Sequence, residues 1–258
     1  MKELVQKVKK LNLTNALYPV IGVGLFVFVW FIVAKIIGVE MILPTPIEAM
    51  ERLFALLGTS NFWLAVSGTL GRALYSFVLS SVFAIILAVV SYVLPVVAKT
   101  LSPIVVILRS VPTMSIILLA LIWLDSKSAP ILIAFLILFP QLYSSFLSAL
   151  NGVSEELIDM SKAYKVPVFK RIMGLYIPEI LPSSLDAMKS SVSFGVKITI
   201  AGEVLAQTFN SMGVSMQISK SYFDTAELLG WTIMAILLSY GLEGVFSLVK
   251  YFAVRRKV

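Results

Sequence analysis

Long apolar blocks separated by short charged stretches are the feature that most constrains this 258-residue chain. Each block is near or above the roughly 20 residues that a helix needs to cross about 30 Å of hydrocarbon. The chain is 59% hydrophobic and only 14% charged, whereas charged residues make up about 25% of soluble domains. The pattern predicts an all-α, polytopic integral membrane protein with six transmembrane helices. The predicted spans are 17–38, 66–94, 103–124, 129–150, 183–207 and 228–251.

Basic residues are distributed unevenly between the two sides that these spans define. Cytoplasmic loops are enriched in Lys and Arg, so we expect both termini on the basic side, in the cytoplasm, and a multi-pass protein of the cell (inner) membrane. The residues assigned to the inner side are Lys2, Lys7, Lys9, Lys10, Lys99, Lys162, Lys165, Lys170, Arg171, Arg255, Arg256 and Lys257. Those assigned to the outer side are Arg52, Lys127 and Lys220.

Two residue types are missing from the sequence, cysteine and histidine. Their absence excludes thiolate nucleophiles, disulfides, imidazole metal ligands and Ser-His catalytic pairs. The chain also lacks the G-x-x-x-x-G-K-S/T loop that holds ATP phosphates. Its basic residues flank apolar blocks and do not form one interleaved surface, which argues against nucleic acid as a partner. We therefore expect no enzymatic activity, no metal and no cofactor bound by this chain.

The connection between the first two spans is too long for a simple turn. After Pro44 and Pro46, apolar residues recur at helical spacing, which predicts a short amphipathic helix on the outer surface; a solvated loop is the alternative. These apolar residues are Ile47, Met50, Leu53, Phe54 and Leu57. The chain then divides into 1–65 (an N-terminal cytoplasmic segment, the first transmembrane helix and the external amphipathic segment) and 66–258, a core of five transmembrane helices.

The second long connection, 151–182, lies on the predicted cytoplasmic side. Acidic residues such as Glu156 open a first short helix, as the helix dipole favours, and Pro167 suits the start of a second helix that carries Phe169. Two amphipathic helices that expose apolar residues form either a docking site for another protein or a structure lying on the lipid surface. The residue pattern alone leaves both readings open.

The spacing within this segment resembles the EAA motif of ATP-binding cassette importer permeases, E-A-A, three residues, G, nine residues, I-x-L-P. The corresponding residues are Asp159, Met160 and Ser161, then Lys165, then Leu175, Tyr176, Ile177 and Pro178. Lys165 stands where the family has Gly, and we expect it to make the turn between the two helices only at a cost in backbone strain.

Further elements resemble the nitrate, sulfonate and taurine type of these permeases, in the same order along the chain. They are L-P-T-P at 43–46, S-G-T-L-G-R at 67–72, Pro103 with L-R-S-V-P at 108–112, L-I-W-L at 121–124, F-P at 139–140, A-G-E at 201–203 and S-M-G at 211–213. The chain is thus identified as a member of this permease family, and the resemblance covers most of its length after the first span.

The resemblance implies the type I importer transmembrane fold and a permease subunit that forms a path for a small solute. It implies a homodimer in membrane lipid, two cytoplasmic ATP-binding subunits that use ATP and Mg, and an extracytoplasmic substrate-binding protein. The 151–182 segment would be the coupling loop on which the ATPases dock. Its expected coupling residues are Glu156, Asp159, Met160, Ser161, Lys165, Val166, Pro167, Phe169 and Pro178.

Charged residues inside the predicted spans need a protein or water partner, because a charge at the bilayer centre costs about 2.5–3.5 kcal/mol. In the fifth span, Asp186, Lys189, Ser190, Ser193 and Lys197 recur at intervals of three and four residues, which is typical of a helix lining a wet path; Asp186 and Lys189 alternatively form a pair at the cytoplasmic interface. Glu203 points elsewhere and could pair with Arg109 or Arg72, and Pro112 should bend the third span. The candidate path or intramembrane-charge residues are Arg72, Arg109, Pro112, Ser193, Lys197 and Glu203.

The sequence does not identify the solute. Cations at Lys197 and Arg109 suit a sulfonate-, nitrate- or taurine-like anion, and a vitamin precursor is the other class that the family resemblance leaves open. An ion-gradient-driven secondary transporter or a channel is the alternative function, and dependence on ATP in reconstituted vesicles would separate them.

Overall fold

The computed structural model describes the backbone of residues 2–255 and the side chains of residues 17–253. Within that part the chain is helical and contains no strand, which confirms the all-α prediction. The helices are α1 (Lys2–Ile37), α2 (Pro46–Leu57), α3 (Ser60–Val93), α4 (Pro95–Ser110), α5 (Thr113–Trp123), α6 (Ala129–Asn151), α7 (Glu155–Ala163), α8 (Val168–Arg171), α9 (Ile177–Ala206), α10 (Met212–Ser221) and α11 (Thr225–Arg255). A π-helical turn, Ile172–Tyr176, joins α8 to α9.

Four helices in the described part are long and apolar enough to cross a membrane, and α4 and α5 together could supply a fifth span. The single-helix spans are Leu17–Ile37, Ser60–Val93, Ala129–Asn151 and Thr225–Ala253. Helix α9 is long enough, but its charged residues lower its hydropathy. Six spans and cytoplasmic termini therefore stay predictions. The basic residues at 2–10 and 255–257 that support the orientation lie where the structure describes no side chains.

The predicted third span is wrong as a single helix. Helices α4 and α5 meet at 97°, so the chain turns through about a right angle where one bent helix was expected. Val111 and Pro112 are both extended, with ψ values of 129° and 131°. Proline disfavours the helical conformation in the residue before it and has no N–H to donate, so the two helices separate at this point.

Helix α2 confirms the predicted short helix after the first span. Thr45 and Glu48 form a capping box at its start, and Pro46 occupies the first turn. One side buries Ala49 and Leu53, whereas Phe54 on the other side is exposed. The buried side attaches α2 to α3 and α11.

Helices α3, α6 and α9 form the centre of the bundle. One buried stripe of α3 consists of small residues three or four positions apart, which lets the backbone of α6 approach closely, as in other membrane bundles. Large apolar side chains such as Leu138 and Leu142 of α6 fill the space opposite. The small residues are Thr69, Ala73, Ser76, Ser80, Ala84, Ala88 and Ser91.

Candidate functional site: two ends of helix α9

Helix α7 opens the 151–182 segment and presents its acidic residues to solvent. The Ser154 hydroxyl accepts a hydrogen bond from the Leu157 N–H, and Glu155 and Glu156 follow in the first turn. The Asp159 carboxylate accepts a hydrogen bond from the Lys162 ammonium at 2.9 Å, yet both side chains are more than half exposed. An exposed pair of this kind contributes little to stability, so Asp159 is available to another molecule.

The turn after α7 has the geometry that the family Gly would supply. Lys165 adopts a left-handed φ of 51°. The N–H of Lys165 donates to the Lys162 carbonyl and that of Val166 to the Ser161 carbonyl, both at 2.9 Å, which is the Schellman arrangement. The expected strain is therefore located at Lys165, where a non-glycine residue costs about 1 kcal/mol.

The second helix of the segment is not the separate short helix that the sequence suggested. Pro167 precedes α8, which continues through the π-helical turn Ile172–Tyr176 into α9. Pro178 has no N–H to bond within the helix, and π turns accommodate such interruptions. The segment is thus joined to α9 by continuous helix.

Apolar side chains are exposed over the surface of this hairpin. Tyr164 is 80% exposed, Phe169 is 70% exposed and Met160 is 53% exposed. A patch of this kind marks a contact with protein or lipid. Of the predicted coupling residues, Glu156, Asp159, Met160, Lys165, Pro167 and Phe169 are exposed, Val166 and Pro178 are half-buried, and Ser161 is buried.

At the other end of α9, Glu203 is completely buried and carries three hydrogen bonds. Arg72 Nε donates to Oε1 at 2.7 Å, and the Thr69 hydroxyl donates to Oε2 at 2.8 Å. The backbone N–H of Gly213 donates to Oε2 at 3.2 Å. The carboxylate is therefore matched by a guanidinium and two further donors, as a buried charge requires.

Arg72 and Thr69 also hold the loop between α9 and α10. Arg72 Nη2 donates to the Asn210 carbonyl at 3.0 Å, and the Met212 N–H donates to the Thr69 hydroxyl at 2.9 Å. Gly213 has no room for a side chain, since a Cβ there would lie 2.6 Å from the Cβ of Glu203. We call Thr69, Arg72, Glu203, Asn210 and Gly213 the Glu203 cluster.

The cluster brings together three sequence elements that resemble the permease family, at 67–72, 201–203 and 211–213. Of the two partners considered for Glu203, the structure gives Arg72 and not Arg109. Thr69 and Asn210 were not predicted from the sequence as site residues, and neither was the meeting of the three elements. The opposite charges of Arg72 and Glu203, each in an apolar span, were the only available signal.

Arg109 and Lys197 are exposed, and neither forms an ion pair or hydrogen bond within the described part of the chain. Arg109 lines two cavities of about 590 and 870 Å³, and Pro112 is exposed at the break between α4 and α5. The predicted polar stripe on α9 needs correction at Ser193, which is buried against the bundle.

Asp186 also differs from expectation. Its carboxylate accepts a hydrogen bond from the Lys250 ammonium of α11 at 2.6 Å and does not pair with Lys189. No group of three or more carboxylates able to hold a metal ion occurs among the residues that the structure describes.

Known proteins resemble the chain over most of its length. Residues 80–258 match the family described as binding-protein-dependent transport system inner membrane component. The taurine transport system permease protein of Escherichia coli (strain K12) is 24% identical over 228 residues, 84% of this chain and 82% of that protein. The formylaminopyrimidine transport permease protein of Halalkalibacterium halodurans is 27% identical over 195 residues, 74% of this chain and 76% of that protein.

Solved structures share the fold at low sequence identity. A chain of the MetNI methionine ABC transporter, in an inward-facing conformation, matches with a TM-score of 0.60 at 19% identity. The match covers 74% of this chain and 96% of that one.

Proposed function

This chain belongs to the family of binding-protein-dependent transport system inner membrane components, and we propose that it forms the translocation path of an ATP-binding cassette importer. It is a multi-pass membrane protein of a family of transporter permeases, not of enzymes. Its fold is that of an ABC permease chain. In our proposal two copies pair along a central path, two cytoplasmic ATP-binding subunits supply the energy from ATP and Mg, and a substrate-binding protein delivers the solute.

The observation that carries the proposal is the exposed hairpin whose second arm is continuous with α9. The apolar residues of the hairpin, with Asp159 and Lys165 beside them, offer an ATPase subunit a docking surface. Because α8 passes into α9 without a break, closure of the ATPases on ATP would displace the end of α9. Alternation between inward-open and outward-open states then follows from movement of the helices attached to it.

The solute in this proposal is small and is either a sulfonate-, nitrate- or taurine-like anion or a vitamin precursor. The two curated relatives described above differ in this respect, since one is named for taurine and the other for formylaminopyrimidine transport. Family membership therefore supports the transport function more strongly than any single substrate.

The test is co-purification with the ATPase subunits of the same host. The chain, carrying an affinity tag, is co-expressed with candidate ATP-binding subunits, and their retention is measured together with ATPase stimulation by candidate binding proteins. We expect Asp159→Ala to reduce retention and coupled transport without affecting membrane insertion. Glu51→Ala is the matched control, since it removes an exposed carboxylate from α2.

Two results would contradict the proposal. If no cognate ATPase bound a folded permease, a secondary transporter driven by an ion gradient would become the better explanation. Unchanged transport in both Asp159→Ala and Lys165→Val would argue that the hairpin does not transmit the ATPase movement.

A further inference from the structure

One face of α9 is left uncovered by the rest of the described chain. Its residues, Ser183, Ala187, Ser190, Phe194 and Lys197, are spaced by four, three, four and three positions and so lie on one side of the helix. All are exposed except Ala187, which is half-buried. We call these five residues the open face of α9. Glu203 lies on the opposite side of the helix, buried in its cluster.

Lys197 gives this face a charge far from either end of α9. It lies nine residues before the end of α9 at Ala206, or about 14 Å along the helix axis. No carboxylate within the described part of the chain pairs with it. An ammonium facing hydrocarbon at this depth would cost about 2.5–3.5 kcal/mol on insertion scales, so the open face is better suited to water than to lipid.

Arg109 supplies a second cation at the other end of the same face. The cavity of about 590 Å³ is lined by Arg109 together with Ser183 and Ala187 of the open face. Ser183 precedes Lys197 by fourteen residues, which separates the two along α9 by about 21 Å. The two unpaired cations therefore stand near opposite ends of one exposed stripe.

Hydroxyl groups lie along this stripe between the cations. Ser190 donates its hydroxyl hydrogen to the carbonyls of its own helix, at 3.2 Å to Asp186 and 3.1 Å to Ala187. Ser144 of α6, which lines both Arg109 cavities, donates to the Pro140 carbonyl in the same way. A hydroxyl in such a local bond can rotate and donate to a ligand instead.

Within the described chain, the one carboxylate in line with the open face is Glu179, which is exposed four residues before Ser183. Helices α5 and α6, which pack beside α9, carry no titratable carboxylate. Asp186 is paired with Lys250, and Glu203 is paired with Arg72. Glu179 alone lines the Arg109 cavity as a carboxylate, against the cations Arg109 and, in the adjoining cavity, Lys99.

We propose that the open face of α9, with Arg109 at one end and Lys197 at the other, is an anion-binding track for a small oxyanion such as a sulfonate, carboxylate or phosphate. This inference rests on the proposed function and narrows its solute to an anion. Lys197 and Arg109 attract the anion at successive positions, and the serine hydroxyls donate hydrogen bonds to it between them. The arrangement matches recurring anion recognition by cations and hydroxyl donors.

The absence of cysteine allows a direct test that needs no knowledge of the solute. Ser190→Cys introduces the sole thiol of the chain, and its modification rate is measured with two methanethiosulfonate reagents, one carrying a sulfonate and one a quaternary ammonium. Permeabilised membranes of the native host, with the complete transporter assembled, give both reagents access from each side. Phe209→Cys, at a residue that is 78% exposed after the end of α9 and outside the open face, gives the reference ratio of the two rates.

We expect the sulfonate reagent to be favoured at Ser190→Cys over the reference. Adding Lys197→Gln should lower that preference by roughly twofold to tenfold, the effect of one charge at about 10 Å in a partly hydrated site. Ser183→Cys should respond instead to Arg109→Gln, because Arg109 is the nearer cation. Lys197→Arg keeps the charge and should keep the preference.

Three results would overturn the track. No modification of Ser190→Cys by either reagent would mean that lipid or a second copy covers the open face. Equal preference at Ser190→Cys and at the reference, or a preference unchanged by both charge-neutralising variants, would mean that the cations do not select anions. Each of these results leaves ATPase retention untouched, so failure of the track is distinguishable from failure of the importer proposal.

Discussion

The two ends of α9 are held in opposite ways. At the carboxyl end, Glu203 is buried and bonded to α3 and to the start of α10. At the amino end, the helix passes through a π turn into α8, where Val168 and Phe169 are exposed. The same helix is thus fixed by buried polar bonds at one end and continues into an exposed hairpin at the other. In our proposal an ATPase subunit completes the hairpin end, whereas the bonds of the Glu203 end are all made within the described chain.

Glu203→Gln should produce the largest loss of stability. The amide cannot balance the charge of Arg72, and breaking a buried ion pair costs about 3–5 kcal/mol. Thermal unfolding of the purified chain in detergent measures this loss. Asp186→Asn is the control, because its pair with Lys250 is largely exposed and should change stability by less than about 1 kcal/mol. Equal melting temperatures of the two variants would mean that the buried Arg72–Glu203 pair does not stabilise the fold more than the exposed pair does.

Gly213→Ala should destabilise the same end by a steric route. The new Cβ would lie 2.7 Å from the Ile200 carbonyl oxygen as well as against Glu203, and overpacking of this kind costs about 1–3 kcal/mol. Gly71→Ala is matched to it, since nothing lies within 4 Å of a Cβ there. Gly213→Ala should melt at a lower temperature than Gly71→Ala. Equal melting temperatures would mean that α10 can shift to accommodate the new Cβ.

Lys165→Gly tests the hairpin end and should stabilise it. Glycine removes the strain of the left-handed φ, a gain of about 1 kcal/mol, whereas Lys165→Val should lower stability because a branched side chain tolerates this conformation poorly. Hydrogen exchange of the amides of 155–176 measures the change locally. Identical exchange in both variants would show that this turn does not control the hairpin.

Several features of the fold could be predicted from the sequence because they depend on residues that are close together in the chain or on the needs of a single side chain. Pro46 and the apolar spacing that follows it predicted α2, and the spacing of the EAA-like motif predicted a turn at Lys165 where the structure has a left-handed residue. Because a buried carboxylate requires a cationic partner, the sequence limited the partners of Glu203 to two candidates, Arg72 and Arg109.

Other features depend on which neighbours a helix acquires, which one sequence does not state. Hydropathy does not report the direction of a helix, so the sequence predicted a bend where the structure has a 97° break between α4 and α5. Helical periodicity put Ser193 on the wet stripe, although packing against the bundle buries it. The hydrogen bond from the Met212 N–H to the Thr69 hydroxyl joins residues 143 positions apart in the sequence, and only the fold reveals it.

The smallest expected effect lies in the capping box of α2. Hydrogen bonds from the backbone and hydroxyl of Thr45 hold the pKa of Glu48 below its ordinary value. A carboxyl whose pKa is lowered by folding stabilises the folded form above its unfolded pKa, and that contribution is lost as pH falls through the lower, folded value. Protection of the α2 amides should therefore weaken as the pH falls below about 4.3, the usual Glu value.

Glu48→Gln removes the titrating group and should abolish this pH dependence while leaving the Thr45 cap at the Glu48 N–H in place. Hydrogen exchange of residues 46–57 across the acidic range measures both proteins, with the amides of 155–176 as the internal comparison. The exchange rates of those amides should not change with the substitution, because the hairpin and α2 lie at different ends of the molecule. If Glu48→Gln retained the acid-induced loss of protection, another carboxylate near α2, such as Glu51 or Asp224, would be its source.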